Sequence, residues 1–117
     1  MKKVFYLKTC STCKRILNEV DTTGFELREV KGENITKEEL HELRKHVDSY
    51  NDLINRRGRF YAHNDLKNKN LSDDEWEELL LQEYSLLKRP VFIDGDLFYA
   101  GNSKKTVEQL KEKFGEK

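Results

Sequence analysis

The stretch Val4-Phe5-Tyr6-Leu7 is an unbroken apolar run, and the residues after it change period at once. A run of that length predicts a short buried strand. Beyond it, apolar positions at Cys13, Ile16, Leu17 and Val20 keep the spacing of one helix face, and Ser11 or Thr12 is the expected cap. Thr22-Thr23-Gly24 closes that helix, and Phe25, Leu27 and Val30 predict a second strand from about Phe25 to Val30. Strand, helix and strand within about thirty residues have the dimensions of a βαβ unit.

The middle of the chain reads as helical. Thr36-Lys37-Glu38-Glu39 has the form of a capping box, with Leu40, Leu43 and Val47 on one face behind it. A short helix is expected over Tyr50 to Arg56, with Gly58 near its end. Ser72-Asp73-Asp74-Glu75 is a second capping box, opening a helix that turns Trp76, Leu79 and Leu80 inward and runs to about Tyr84. The period then shortens again. Val91-Phe92-Ile93 follows the only proline, Pro90, as a strand; Asp94-Gly95 is a hairpin signal, and Leu97 to Ala100 is the returning strand. Gly101-Asn102-Ser103 leads into a last helix with Val107, Leu110 and Phe114 inward.

This order, β-α-β, a block of helices, then β-β-α, predicts an α/β chain of the thioredoxin-like type with a four-stranded mixed sheet. A single domain over 1–117 is expected, with a helical insert at about 35–86.

Composition adjusts this picture in two ways. Charged residues make up 38% of the chain, but the aromatic 10% and the periodic apolar positions favour a small folded domain over disorder. Lys plus Arg and Asp plus Glu are 22 each, so no net field supports direct nucleic-acid binding. The apolar run at the N-terminus is too short for a signal peptide, and none approaches a membrane span. A cytoplasmic protein with no membrane partner is expected.

Both cysteines lie in Thr9-Cys10-Ser11-Thr12-Cys13-Lys14-Arg15. A disulfide closing so small a loop gains little as a staple, and structural disulfides are rare in the cytosol. Cys10 falls in the turn between the first strand and the first helix, where unpaired N–H groups and the helix dipole favour a thiolate. Lys14 and Arg15 add positive charge one turn in. Cys13, deeper on the same side, is cast as the resolving thiol and Cys10 as the attacking one. A zinc site wants four ligands, and His41, His46 and His63 show no matching spacing, so no metal is expected. An inert cysteine pair is the other bland alternative. A proline directly before a strand suits a rigid or cis turn, so Arg89-Pro90 is expected to be cis and to bring Arg89 towards Cys10. Arg56-Arg57-Gly58-Arg59 is a basic cluster; joined to Arg89 and the helix N-terminus, it would make an anion site.

With these pieces in place, the chain resembles the arsenate reductase/Spx family of thioredoxin-fold proteins over essentially its whole length. The resemblance rests on Cys10-Ser-Thr-Cys13-Lys-Arg after the first strand, on Leu53-Ile-Asn-Arg-Arg57-Gly58 with Tyr61 following, and on Leu87-Lys-Arg89-Pro90-Val91 before the hairpin. It implies Cys10 as nucleophile, Arg89 as an arginine before a cis-proline, and Arg57 as an oxyanion-binding arginine, a role Arg56 could share. It further implies a thiol oxidoreductase acting on arsenate or on a small thiol or disulfide. No bound cofactor is implied, only an external reductant: glutathione with glutaredoxin, or thioredoxin. The Spx branch offers the alternative of a redox-sensing regulator that binds RNA polymerase through protein contacts.

Overall fold

A computed structural model describes the whole chain, Met1–Lys117. The residues form two compact units: Met1–Val30 joined with Arg89–Lys117, and Lys31–Lys88.

The first unit is built on a four-stranded sheet. Strands β1 (Lys2–Tyr6), β2 (Glu26–Glu29), β3 (Val91–Asp94) and β4 (Leu97–Ala100) lie in the order β2-β1-β3-β4. The β1–β2 pairing is parallel, with Val4 opposite Leu27; β1–β3 and β3–β4 are antiparallel, with Phe92 opposite Val4 and Tyr99. The parallel step is made by helix α1 (Ser11–Glu19). The last helix of the chain, Lys104–Phe114, packs its Val107 and Leu110 into the same core as Val4, Ile16, Val20 and Phe92. Phe25 meets Phe114 edge-on at 5.0 Å and Phe92 at 5.5 Å, so a residue just before β2 joins residues of β3 and the last helix in one aromatic cluster. The Lys111 ammonium reaches the Glu19 carboxylate at 3.2 Å, and the Lys117 N–H donates to the Glu19 carbonyl.

Element order and sheet make this a thioredoxin-like α/β fold. Three local expectations are corrected. The second strand is only Glu26–Glu29, and Leu27 is 49% exposed, because β2 is an edge strand with β1 alone beside it. The hairpin turn is Gly95-Asp96: Asp94 still pairs with Leu97, and Gly95 takes the positive φ of +58° that a two-residue turn needs. The cap of α1 is neither Ser11 nor Thr12 but Cys10.

The second unit holds the remaining helices, α2 (Lys37–Arg44), α3 (Arg59–His63) and α4 (Asp73–Gln82), with single 3-10 turns at Tyr50–Leu53, Leu66–Asn68 and Tyr84–Leu86. The helix described above at Lys104–Phe114 is therefore α5. Both capping boxes form: Thr36 with Glu39, and Ser72 with Glu75. Helix α2 stops before Val47, which is only half-buried, as the chain tightens into turns and the Arg44 guanidinium donates to the Val47 carbonyl at 2.6 Å. Arg44 also holds Asp73 at 3.0 Å, and the other oxygen of Asp73 accepts the Tyr50 N–H. The helix expected over Tyr50–Arg56 is cut short at Leu53, because Ile54 bridges to Leu87 and the Asn55 N–H donates to the Leu86 carbonyl, which extends the chain. Gly58 accordingly begins α3 instead of ending a helix. No helix of either unit is long and apolar enough to cross a membrane.

Candidate active site

Strand β1 ends at Tyr6 and the chain turns sharply after the buried Leu7. The Cys10 N–H donates to the Leu7 carbonyl, and the Lys8 N–H donates to a Glu29 carboxylate oxygen at 3.0 Å. This turn sets Cys10 in extended conformation at φ −93°, ψ 109°, as the N-cap of α1. Its carbonyl accepts the Lys14 N–H, the first hydrogen bond of the helix, and its sulfur accepts the Cys13 N–H at 3.4 Å. A sulfur therefore takes the place usually filled by a Ser, Thr or Asp oxygen, and the Cys13 N–H, which has no partner within the helix, faces the atom that would carry charge.

The two thiols are free and unlike each other. Cys10 is half-buried and Cys13 fully buried. Burial pulls the Cys10 thiol upward. Hydrogen bonds from the backbone and side chain of Cys13, a hydrogen bond from Arg89 and the Arg89 charge outweigh it and hold Cys10 below the ordinary thiol value. Cys13 goes the other way, pushed up to about 12. Burial is the main cause, opposed by a backbone hydrogen bond from Leu7 and reinforced by the hydrogen bond to Cys10 and its charge. Of the pair, Cys10 is the thiol that ionises more readily, and Cys13 is held protonated beside it.

Arg89 comes to this place from the other end of the first unit's chain. The Arg89-Pro90 peptide bond is cis. Two hydrogen bonds fix the segment behind it: Asn102 Nδ2 donates to the Arg89 carbonyl at 3.2 Å, and the Gly101 N–H donates to the Pro90 carbonyl at 2.9 Å. The residues after β4 therefore brace the arginine as well as opening α5. Sequence reasoning assigned Gly101-Asn102-Ser103 only the second task, and no local pattern separates the two.

The remaining candidates are placed differently. Thr12 is a half-buried residue inside the first turn of α1 and caps nothing. Lys14 is exposed, and Arg15 pairs with Glu19 at 3.0 Å. Arg56 and Arg57 belong to the second unit. The Arg56 guanidinium donates to the Asn51 side-chain oxygen at 2.5 Å, and the Arg57 N–H to that of Asn55 at 3.2 Å. Within the first unit, the structure brings together Cys10, Cys13 and Arg89, with Pro90 directly behind them.

Comparison with known proteins gives a consistent picture. The family model described as "ArsC family" matches residues 5–110. Among solved structures, a protein of Staphylococcus aureus COL determined by solution NMR is 32% identical, with a TM-score of 0.71 over 94% of this chain and 98% of that one. An arsenate reductase (ArsC) related protein from Brucella melitensis is 25% identical, with a TM-score of 0.67 and 92% of each chain covered. An arsenate reductase from Vibrio cholerae shares the fold at 19% identity, with a TM-score of 0.71 over 95% of this chain and 97% of that one. No curated protein matches the chain.

Proposed function

The chain belongs to the ArsC family, and on that premise we propose that it is a thiol oxidoreductase that reduces a small oxyanion, arsenate in the first instance, with Cys10 as nucleophile and Cys13 as resolving thiol. The observation that carries this reading is the sulfur of Cys10 at the N-cap of α1, with the Cys13 N–H and the Arg89 guanidinium both directed at it.

The proposed reaction takes two steps. The Cys10 thiolate attacks arsenic, forming a sulfur–arsenic bond as one arsenate oxygen, protonated, leaves as water. Arg89 suits the anion as well as the thiolate, since a guanidinium offers planar paired donors to oxyanions. Cys13 then attacks the Cys10 sulfur. The sulfur–sulfur bond forms, the sulfur–arsenic electron pair stays on arsenic, and arsenite departs. Two thiols are oxidised to one disulfide while As(V) becomes As(III). An external dithiol or glutathione system returns the disulfide to thiols by exchange.

The pairing also sets an order. Before the first step Cys13 is held protonated, in part by the charge on Cys10 and the hydrogen bond to it. Once that sulfur is bonded to arsenic, both influences disappear, leaving burial opposed by the Leu7 backbone and the Arg89 charge. The resolving thiol thus becomes easier to ionise only after it has an adduct to resolve.

The test is arsenate-dependent NADPH consumption in two coupled systems, glutathione with glutaredoxin and thioredoxin with its reductase. Turnover that is lost in Cys10→Ser is expected. Absence of turnover in both would contradict the reading and direct attention to paired thiols serving as a redox sensor for a protein partner.

A further inference from the structure

We infer that the second unit carries a binding site for a small phosphorylated molecule, in a cavity of about 540 Å³ whose lining includes Asn51, Arg56, Tyr61, Lys67, Lys69 and Trp76. The volume is in the range of small-molecule sites. Its charge is what sets it apart. Positive and negative residues balance at 22 each over the whole chain, yet three cations and no carboxylate line this cavity. The acidic residues are gathered elsewhere: Asp74, Glu75 and Glu78 line a neighbouring cavity that shares Lys69, Leu66 and Leu71 with this one.

The cations are also unspent. Arg56 is held only by the neutral Asn51, at 2.5 Å to its side-chain oxygen and 3.5 Å to its carbonyl. The side chains of Lys67 and Lys69 make no hydrogen bond or ion pair within the protein, and neither does the Tyr61 hydroxyl. Three like charges around one cavity repel each other unless an anion lies between them. A phosphoryl group answers that need best. It carries up to two charges and three acceptor oxygens, which suits a guanidinium fork with two ammonium point charges. Tyr61, Asn51 and Trp76 in the lining offer rings and a side-chain amide to the rest of the molecule, so an organic phosphomonoester fits the lining more fully than the bare ion. This site uses Arg56 for a purpose separate from thiol chemistry, and every residue of its lining comes from the second unit.

The chain contains one tryptophan, and it lies in this cavity. Its fluorescence therefore reports on the site without a label. The experiment titrates the full reduced chain with ribose 5-phosphate, inorganic phosphate and ribose, with calorimetry alongside to register binding that leaves the indole unmoved. Saturable binding of ribose 5-phosphate is expected, weaker binding of inorganic phosphate, and none of ribose. Arg56→Gln, Lys67→Gln and Lys69→Gln should each weaken ribose 5-phosphate by about fivefold, the upper range for a solvent-exposed charge pair. Cys10→Ser should bind as the parent does, which keeps this test independent of the thiol reaction. The inference is overturned by absence of saturable binding in both methods, by ribose binding as well as its phosphate, or by unchanged affinity in all three charge variants.

Discussion

Replacing Arg89 by methionine tests how the Cys10 thiolate is stabilised. The substitution keeps a long side chain but removes both the hydrogen bond and the positive charge that help hold the Cys10 thiol down. A hydrogen bond to a charged partner contributes about 1.5–3 kcal/mol when buried, and an exposed ion pair about 0.2–1 kcal/mol. Cys10 and Arg89 are both half-buried, so a value of roughly 1–1.5 kcal/mol lies between those limits. At a pH below the thiol's midpoint, that loss reduces the thiolate fraction by about five- to tenfold. The measurement is best made with Cys13→Ser as parent, since serine still offers a donor to the Cys10 sulfur and leaves a single thiol to titrate. Thiolate ultraviolet absorbance against pH gives the midpoint, and iodoacetamide alkylation at a pH below that midpoint gives the reactivity. Arg89→Met should move the midpoint upward and slow alkylation by the factor above. Arg89→Lys, which keeps the charge without the planar fork, should fall between the two. Coincident titrations for parent and Arg89→Met would refute the reasoning and remove Arg89 from the site.

The wild-type thiols should also separate by pH. A thiol reacts as its thiolate, above its pKa, so Cys10 should alkylate fully well before Cys13, whose value near 12 confines it to strongly alkaline solution; peptide mass spectrometry showing equal labelling at neutral pH would contradict this. Phe92→Ala should cost about 3–5 kcal/mol in urea unfolding, because Phe92 is fully buried and its ring meets both Phe25 and Phe114; a loss below 1 kcal/mol, far under that range, would mean that the aromatic cluster is not the core of the first unit. Ser72→Ala removes the oxygen that accepts the Glu75 N–H at the start of α4 and should destabilise by about 1 kcal/mol, with an unchanged unfolding midpoint as the contrary result.

The parts legible in the sequence were those in which one physical signal acts alone. The apolar runs of β1 and β3 mark strands that the sheet pairs side by side, and the Thr36 and Ser72 boxes start α2 and α4 where their spacing says. Other features depend on partners distant in the chain. Helix α3 buries none of its residues, so it has no apolar stripe to read. The 3-10 turn at Tyr50–Leu53 stops where it does because Ile54 finds Leu87, thirty-three positions on. The apolar Leu27 counts towards a strand by composition, yet the edge position of β2 leaves it half in solvent. In the candidate site, the cysteine pair and Arg89-Pro90 were visible as local motifs. That the Cys10 sulfur itself caps α1 was not, since cysteine is outside the usual capping residues. Nor was the brace of Asn102 on the Arg89 carbonyl, a contact between residues that share no motif.

The central claim, that Cys10 attacks and Cys13 resolves, is tested most directly by a single turnover without any external reductant. Reduced protein is mixed with a stoichiometric amount of arsenate, and free thiols and arsenite are counted together. The wild type should lose both thiols as one arsenite appears and Cys10 and Cys13 become joined in one disulfide. Cys13→Ser should release no arsenite and keep any adduct on Cys10. Two free thiols remaining in the wild type, or arsenite released equally by Cys13→Ser, would contradict the account.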